Sequence, residues 1–176
     1  MAEPDWLTQH QTLVTGSAAF AGVMISLLVN AWLQKRQHTR SVQHEATVLR
    51  RAFFADLRAH RERFCETMEL AERAVADDAG SVEVNLRSRR ALFEASVGKL
   101  GLLTTGEVVS VTTAYSSLGD QEAYAVLIGR AAEEPGREGV YAVKSEKLPG
   151  LVKSLGILVH HLDVAIEEIT RQARGV

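Results

Sequence analysis

Cysteine and proline are both scarce in this chain of 176 residues, which contains one Cys and three Pro. Because Cys65 has no second cysteine to pair with, the sequence excludes an internal disulfide framework and a metal site built from several cysteines. A lone thiol is typical of a reducing compartment. The net charge of −2 gives no general attraction to nucleic acid, so we expect no nucleic-acid partner.

Sequence signatures of catalysis and cofactor binding are also missing. The chain has no Gly-rich phosphate loop, no Cys-x-x-Cys, no Gly-x-Ser-x-Gly and no His-Glu-x-x-His. His160 and His161 are neighbours, so on a helix they lie about 100° apart, which is poor geometry for ligating one metal ion. We therefore expect no catalytic residue, no cofactor and no metal, and we predict that the protein is not an enzyme.

Charged residues are absent from one long apolar stretch, Leu13 to Leu33. As a helix this stretch would cover about 30 Å, which matches the hydrocarbon core of a bilayer. The residues before it carry acids and no Lys or Arg, unlike a cleaved signal peptide, and basic residues follow it directly. By the positive-inside rule we predict an extracytoplasmic tail at 1–12, a single transmembrane helix at 13–33 and a cytoplasmic helical domain at 34–176.

Two groups of side chains at the ends of this stretch are predicted to contact lipid. Trp6 and Trp32 lie near its two ends, where indole rings favour the headgroup level. Lys35, Arg36 and Arg40 follow on the cytoplasmic side, where anionic headgroups attract basic residues. The bilayer is therefore the first partner that the sequence predicts.

Small and polar residues recur every four positions inside the predicted span, at Ala18, Gly22, Ser26 and Asn30. Positions i and i+4 share one helix face, and small residues allow two membrane helices to approach closely. The pattern favours self-association into a homo-oligomer. Contact with another membrane protein is a second interpretation, and the absence of any role is a third, because such residues are common in membrane helices.

The first half of the cytoplasmic domain contains neither Pro nor Gly from residue 34 to residue 79, so nothing there interrupts a helix. Apolar residues repeat at a spacing of eleven, which keeps a stripe on one side of a nearly straight helix. His60 falls on this stripe and lacks partners at ligand spacing, so we interpret it as a boundary histidine. The repeating positions are Val42, Phe53, Phe64 and Val75, and Ala46, Leu57 and Met68.

Turn and cap residues then divide the rest of the domain. Gly80 is expected to supply a left-handed cap, and Ser81 to cap a second helix over the repeat from Leu86 to Leu100. Thr104 and Glu107 form a capping box that predicts a third helix. Gly119 followed by Asp120 predicts a kink or a restart in that helix.

The last part of the chain combines a loop with the strongest helical pattern outside the apolar run. We predict a loop at about 132–145, in which Val140 to Val143 alternate like a strand that lacks a partner. Leu148, Leu155, Leu162 and Ile169 then repeat at seven. Such a helix packs either in a bundle within the chain or in a coiled-coil seam between chains, and the short pattern favours the bundle.

Together these patterns predict an all-α fold, in which the transmembrane helix continues into a long cytoplasmic helix packed with three or four shorter helices as a bundle or helical hairpin. The chain resembles a loose group of bacterial single-span membrane proteins with a cytoplasmic helical domain. The resemblance covers residues 25–118 and is carried by NAWLQKR (Asn30–Arg36), RRAFFADLRAHRERF (Arg50–Phe64) and FEASVGKLGLLTTGEVVSVTTAYSSL (Phe93–Leu118). It implies a bacterial inner membrane and brings no activity with it.

The function that we expect is non-catalytic. A membrane-anchored interaction or scaffold protein would act by forming oligomers or by holding a partner at the inner membrane, because tethering raises the local concentration of attached surfaces. One alternative is an accessory subunit whose span docks into a larger membrane complex. A membrane-perturbing effector is another.

Overall fold

The structure is a computed structural model that describes residues 6–131 and 138–174, with side chains for 23–131 and 138–172. Internal contacts divide the chain into two units, an N-terminal unit Met1–His44 and a C-terminal unit Glu45–Val176. The first helix, α1 (Trp6–Ala76), contributes residues to both units. Each unit is described below by itself.

The described residues of the C-terminal unit alternate between helices and three short strands. Strand β1 (Ser81–Asn85) follows α1, and a short helix α2 (Ala91–Ser96) continues into a 3₁₀ turn (Val97–Leu102). Helix α3 (Thr105–Ile128) runs directly into strand β2 (Gly129–Ala131). Strand β3 (Val140–Lys144), a second 3₁₀ turn (Ser145–Lys147) and helix α4 (Leu148–Arg174) complete the unit.

The buried stripe of α1 begins at Ala46, and its spacing departs from the prediction toward the C-terminal end of the helix. At its C-terminal end Thr67 and Ala74 are buried, whereas Met68 is only half-buried and Val75 is exposed. The predicted spacing of eleven therefore holds for Ala46 with Leu57 and for Phe53 with Phe64, whereas from Phe53 onward the buried positions recur every seven residues, as in a helix packed against neighbouring helices. Its members are Ala46, Leu49, Phe53, Leu57, His60, Phe64, Thr67, Ala71 and Ala74.

The segment after α1 corrects two predictions. Asp78, with φ of 50°, adopts the left-handed conformation that we assigned to Gly80. Ser81 starts a strand instead of capping a helix, because Val82 and Val84 alternate with polar residues and so suit one buried face of a sheet. The helix predicted over Leu86–Leu100 is reduced to α2 and its 3₁₀ turn.

The three strands form an antiparallel sheet in the order β1-β3-β2. Ser81 pairs with Lys144 and Asn85 with Val140, while Gly129 pairs with Val143. The prediction of an all-α fold is therefore correct only for the helical majority. Val140–Val143, which lacked a visible partner in the sequence, belongs to the central strand, which pairs with the distant β1 on one side and with the nearby β2 on the other. Residues 132–137 of the predicted loop lie outside the described residues.

Helix α3 confirms the predicted capping box, and the restart predicted at Gly119 does not occur. The Thr104 side chain accepts a hydrogen bond from the Glu107 amide at 3.4 Å, and Glu107 Oε2 accepts one from the Thr104 amide at 2.8 Å. The helix continues through Gly119 and Asp120 without interruption to Ile128. Burial of Leu118 and Gln121 on either side of Gly119 keeps one face of the helix against the core.

Helix α4 packs within the chain, as the bundle interpretation predicted. Leu148, Leu155, Leu162 and Ile169 are all buried, and the cluster that they join includes apolar residues of α1, α3 and the sheet. Among the described residues, one helical stretch is long and apolar enough to span a membrane, namely Ser145–Gln172. Its leucines lie in the core of the C-terminal unit, so this composition reflects a buried core helix.

Candidate functional site

The first candidate surface is the exposed apolar part of α1 in the N-terminal unit, which we call the apolar segment (residues 23–33). Every side chain in it is exposed. The large apolar members are Val23, Met24, Ile25, Leu27, Leu28, Val29, Trp32 and Leu33. At 100° per residue they occupy all sides of the helix, so they form no single stripe that one neighbouring helix could cover.

The predicted helix-association residues fall partly on this segment. Ser26 and Asn30 are exposed, whereas the side chains of Ala18 and Gly22 lie outside the described residues. Residues 13–22 of the predicted span lie outside the described side chains as well. The association stripe therefore stays a prediction.

The predicted lipid-contact residues are exposed where the structure describes them. Lys35, Arg36 and Arg40 are all exposed, and the Arg36 guanidinium carbon lies 5.3 Å from the centroid of the Trp32 ring. This cation–π contact places an amphipathic indole next to a basic group, a combination suited to the headgroup level. The side chain of Trp6 lies outside the described residues.

A second candidate surface is a cavity of about 410 Å³ in the C-terminal unit, which we call the arginine pocket. One wall is α1, where Asp56, Ala59, His60 and Arg63 share a helix face through spacings of three and four. The other walls come from the segment after β1, with Asn85, Arg87 and Arg89, and from Glu138 and Val140 at the start of β3. Three arginines thus face one cavity.

Backbone contacts hold these walls together. The Leu86 amide donates to the Gly139 carbonyl at 2.8 Å, and the Arg87 amide donates to Asn85 Oδ1 at 3.1 Å. Gly139 has φ of 80°, and an added Cβ there would lie 2.4 Å from Arg87 Cβ. Only glycine allows so close an approach in this conformation, so Gly139 sets the position of the segment that carries the arginines.

A series of polar contacts connects the core of the C-terminal unit with the arginine pocket. The Tyr115 hydroxyl donates to Asp56 Oδ2, and His60 Nε2 lies 3.6 Å from the same oxygen and 2.9 Å from the Arg89 carbonyl oxygen. Because a carbonyl oxygen only accepts, His60 Nε2 carries the hydrogen. Burial, together with the hydrogen bond to Asp56, raises the pKa of Tyr115, so the phenol stays protonated and donates.

Arg63 has unused hydrogen-bonding capacity in this pocket. Its Nε and Nη2 atoms are buried and have no hydrogen-bond partner among the described residues. Its guanidinium carbon lies 4.7 Å from the centroid of the Phe64 ring, which compensates part of the charge. Burial lowers the pKa of Arg63 and the neighbouring charge of Arg89 lowers it further, against an opposing effect of Asp56. Buried donors without partners are costly, so this group is suited to binding an acceptor.

The sequence analysis missed this pocket. His60 was interpreted as a boundary histidine, whereas it is buried and joins Asp56 to the Arg89 backbone. The pocket combines residues 56–63, 85–89 and 138–140, which only the pairing of β1 with β3 brings together. The run Arg87-Ser88-Arg89-Arg90 directly after an alternating segment was the available signal.

Neither a search for metal-binding groups nor comparisons with known proteins identify a further functional site. Within residues 6–131 and 138–174, no group of three or more His, Cys, Asp or Glu is arranged to hold a metal ion. Comparisons with protein-family models, with curated proteins and with solved structures gave no match.

Proposed function

We propose that this protein is a membrane-anchored, non-catalytic interaction or scaffold protein of the inner membrane. Residues 13–33 would cross the bilayer once, with the N-terminus outside and the C-terminal unit in the cytoplasm. It would act by forming oligomers or by holding a partner at the membrane. The observation that supports this proposal is the exposure of the apolar segment on all sides of its helix.

Exposure of the apolar segment to water is unfavourable, because the hydration of apolar side chains costs free energy. Burying a Val, Leu or Ile side chain is worth about 1.5–3 kcal/mol, and eight large apolar side chains of the segment are exposed. Hydrocarbon would cover every side of the helix at once, whereas a single partner helix would cover one. The basic residues Lys35, Arg36 and Arg40 support the proposed orientation, because positive charge is retained on the cytoplasmic side.

The C-terminal unit supports the second half of the proposal. It has a core of its own, built from α1, α3, α4 and the sheet, to which the apolar segment contributes no residue. A folded unit on a membrane tether gains effective concentration toward anything else attached to the same surface. The exposed Ser26 and Asn30 also suit an accessory subunit docked into a larger complex, which is our second candidate function.

The membrane proposal is tested with paired arginine substitutions. We expect the full chain to stay in the membrane pellet after alkaline extraction, and the Val23→Arg/Leu27→Arg double variant to leave it. Two arginines near the centre of a span cost roughly 6 kcal/mol on the insertion scale. The matched control is Val109→Arg/Val126→Arg, which adds the same charges at exposed positions of α3.

The expected outcome is that the control fractionates with the unsubstituted chain. Recovery of the unsubstituted chain in the soluble fraction without detergent would contradict the proposal. Equal extraction of both double variants would contradict it as well, because the effect would then depend on charge alone and not on position.

A further inference from the structure

The arginine pocket is lined by two arginines that form no ion pair with a described residue. Arg63 and Arg89 both line it, and neither forms an ion pair there. The two Arg63 nitrogens without partners are inaccessible to bulk water. Arg63 is half-buried and Arg89 is exposed, so the cost of a charge without a partner falls on Arg63.

The two carboxylates of the pocket have partners of their own. Asp56 accepts the hydrogen bond of the Tyr115 hydroxyl, and its charge also acts on Arg63. Glu138 pairs with Arg87 at 3.2 Å. The three arginines of the pocket therefore exceed its two carboxylates, Asp56 and Glu138, by one positive charge, and the donors without partners are those of Arg63.

We propose that the arginine pocket binds a phosphate group, carried by a small monoester, through Arg63 and Arg89. A guanidinium presents parallel N–H donors whose spacing fits two oxygens of a phosphate. A phosphate dianion would neutralise both arginines, whereas a monocarboxylate would neutralise one. The proposal rests on the C-terminal unit alone and is independent of the membrane anchor.

The dimensions and support of the pocket are consistent with such a ligand. Its volume of about 410 Å³ lies in the range of small-molecule sites, roughly 300–1,000 Å³, and exceeds what a bare phosphate needs. Arg63 lies on a regular helix, and the Arg89 backbone is held by His60 at 2.9 Å. The backbone of both arginines is therefore held in place, whereas the covered Nε and Nη2 atoms of Arg63 would meet the ligand only after the side chain turns toward the cavity.

The experiment measures phosphate binding by the full chain in mild detergent, by calorimetry and by thermal unfolding. The probe is inorganic phosphate, compared with chloride at equal ionic strength. We expect phosphate to bind and to raise the unfolding temperature of the unsubstituted chain, because a ligand of the native state stabilises it. Arg63→Gln should weaken binding about 10- to 100-fold, since charge-assisted hydrogen bonds are lost.

The stability of Arg63→Gln relative to the unsubstituted chain, compared in chloride and in phosphate, distinguishes a binding role of Arg63 from a structural one. In chloride we expect Arg63→Gln to be as stable as the unsubstituted chain or more so, because it removes a half-buried charge whose Nε and Nη2 atoms have no hydrogen-bond partner among the described residues. In phosphate we expect it to be the less stable of the two. Arg58→Gln is the matched control, because Arg58 lies on the same helix, is exposed and pairs only with Glu62 among the described residues. It should bind phosphate like the unsubstituted chain.

Several results would overturn the proposal. One is the absence of binding heat with phosphate. Another is an equal rise in unfolding temperature for Arg63→Gln, since phosphate also stabilises proteins generally by exclusion from their surface. If Arg63→Gln fails to fold, Arg63→Lys keeps the charge and loses the paired donors, and unweakened binding by that variant overturns the proposal too.

The source of the phosphate is distinguished by two ligands. Glycerol 3-phosphate represents a free monoester, and dioctanoyl phosphatidic acid in the micelle represents a lipid headgroup. Arg63-dependent binding of the first alone assigns the pocket to a soluble ligand. Stronger Arg63-dependent binding of the second assigns it to the membrane surface. Binding of either ligand that persists unchanged in Arg63→Gln contradicts the site.

Discussion

At the scale of single residues, Gly139 precedes β3 and holds the segment that carries Arg87 and Arg89 next to this strand. It combines φ of 80° with a backbone carbonyl that accepts from the Leu86 amide at 2.8 Å. An alanine there would place its Cβ 2.9 Å from Arg87 Cα as well as 2.4 Å from Arg87 Cβ. Neither neighbour is the far end of a flexible side chain, so the backbone itself would have to move.

We therefore expect Gly139→Ala to lower the free energy of unfolding by about 2–4 kcal/mol, from backbone strain and steric overlap together. This loss of stability is measured by thermal unfolding, monitored by circular dichroism. The matched control is Gly156→Ala in α4, where no atom lies within 4 Å of the added Cβ. There the helix propensity of alanine should stabilise the protein by about 0.5–1 kcal/mol. A neutral Gly139→Ala would contradict the close approach.

Glu107 is a buried acid held by several donors. Arg50 donates from Nε at 2.6 Å and from Nη2 at 3.0 Å, and the Thr104 amide donates at 2.8 Å. Burial alone raises the pKa of Glu107, but the hydrogen bonds from Arg50 and Thr104 outweigh it and hold the pKa below its ordinary value of 4.5. The ionised form is therefore favoured in the folded protein.

Because the pKa of Glu107 is depressed on folding, its contribution to stability is complete above pH 4.5 and is lost as the pH falls through the lower, folded pKa. We expect Glu107→Gln to cost about 2–4 kcal/mol at pH 7, and the difference from the unsubstituted chain to shrink in acid. Urea unfolding at pH 7 and at pH 3 measures both. Glu69→Gln, which breaks an exposed pair with Arg73, should change stability by less than about 0.5 kcal/mol at either pH. A pH-independent cost of Glu107→Gln would refute this account.

At the scale of elements, α4 has one buried face and one exposed face, and substitutions on the two faces should differ in their cost. Leu155 is fully buried, whereas Ile157, two positions away, is 53% exposed. Removing a buried leucine loses its transfer free energy and leaves a cavity, so we expect Leu155→Ala to cost about 2–5 kcal/mol. Ile157→Ala should cost less than about 1 kcal/mol. Chemical unfolding of both variants provides the measurement, and similar losses at the two positions would show that α4 does not pack as described.

Local sequence signals predicted the elements whose determinants lie close together in the chain. The Thr104–Glu107 capping box and the leucine repeat of α4 depend on residues a few positions apart, and both are present in the structure. The sheet could not be predicted in this way, because Ser81 finds its partner at Lys144. The short run at 140–143 looked unsupported because the sequence showed neither this distant neighbour nor the three-residue strand β2 that pairs on its other side.

The same physical reason explains why the arginine pocket escaped prediction. Its α1 wall is recognisable as a helix face, but Arg87 and Arg89 become part of the site only when β1 docks on β3. The apolar segment, by contrast, is contiguous, and its length and lack of charge could be read directly from the sequence.

At the scale of the whole molecule, self-association of the predicted span is the remaining question. We expect the full chain in detergent to be an oligomer by light scattering, and Gly22→Leu to convert it to a monomer, because a large side chain prevents close approach of two helices. Ser17→Leu is the matched control, since at 100° per residue position 17 lies on the opposite helix face. An accessory subunit would instead be monomeric before and after the change. An unchanged oligomer in Gly22→Leu would contradict association through this stripe.

The two outer strands of the sheet limit how this protein can recognise anything else. β1 spans five residues and β2 only three, and each carries a charged side chain, Glu83 and Arg130 respectively. Edges so short and charged are poor templates for an added strand from another chain. Recognition by the C-terminal unit is thereby directed to side-chain surfaces, and the same property protects the sheet from edge-to-edge aggregation.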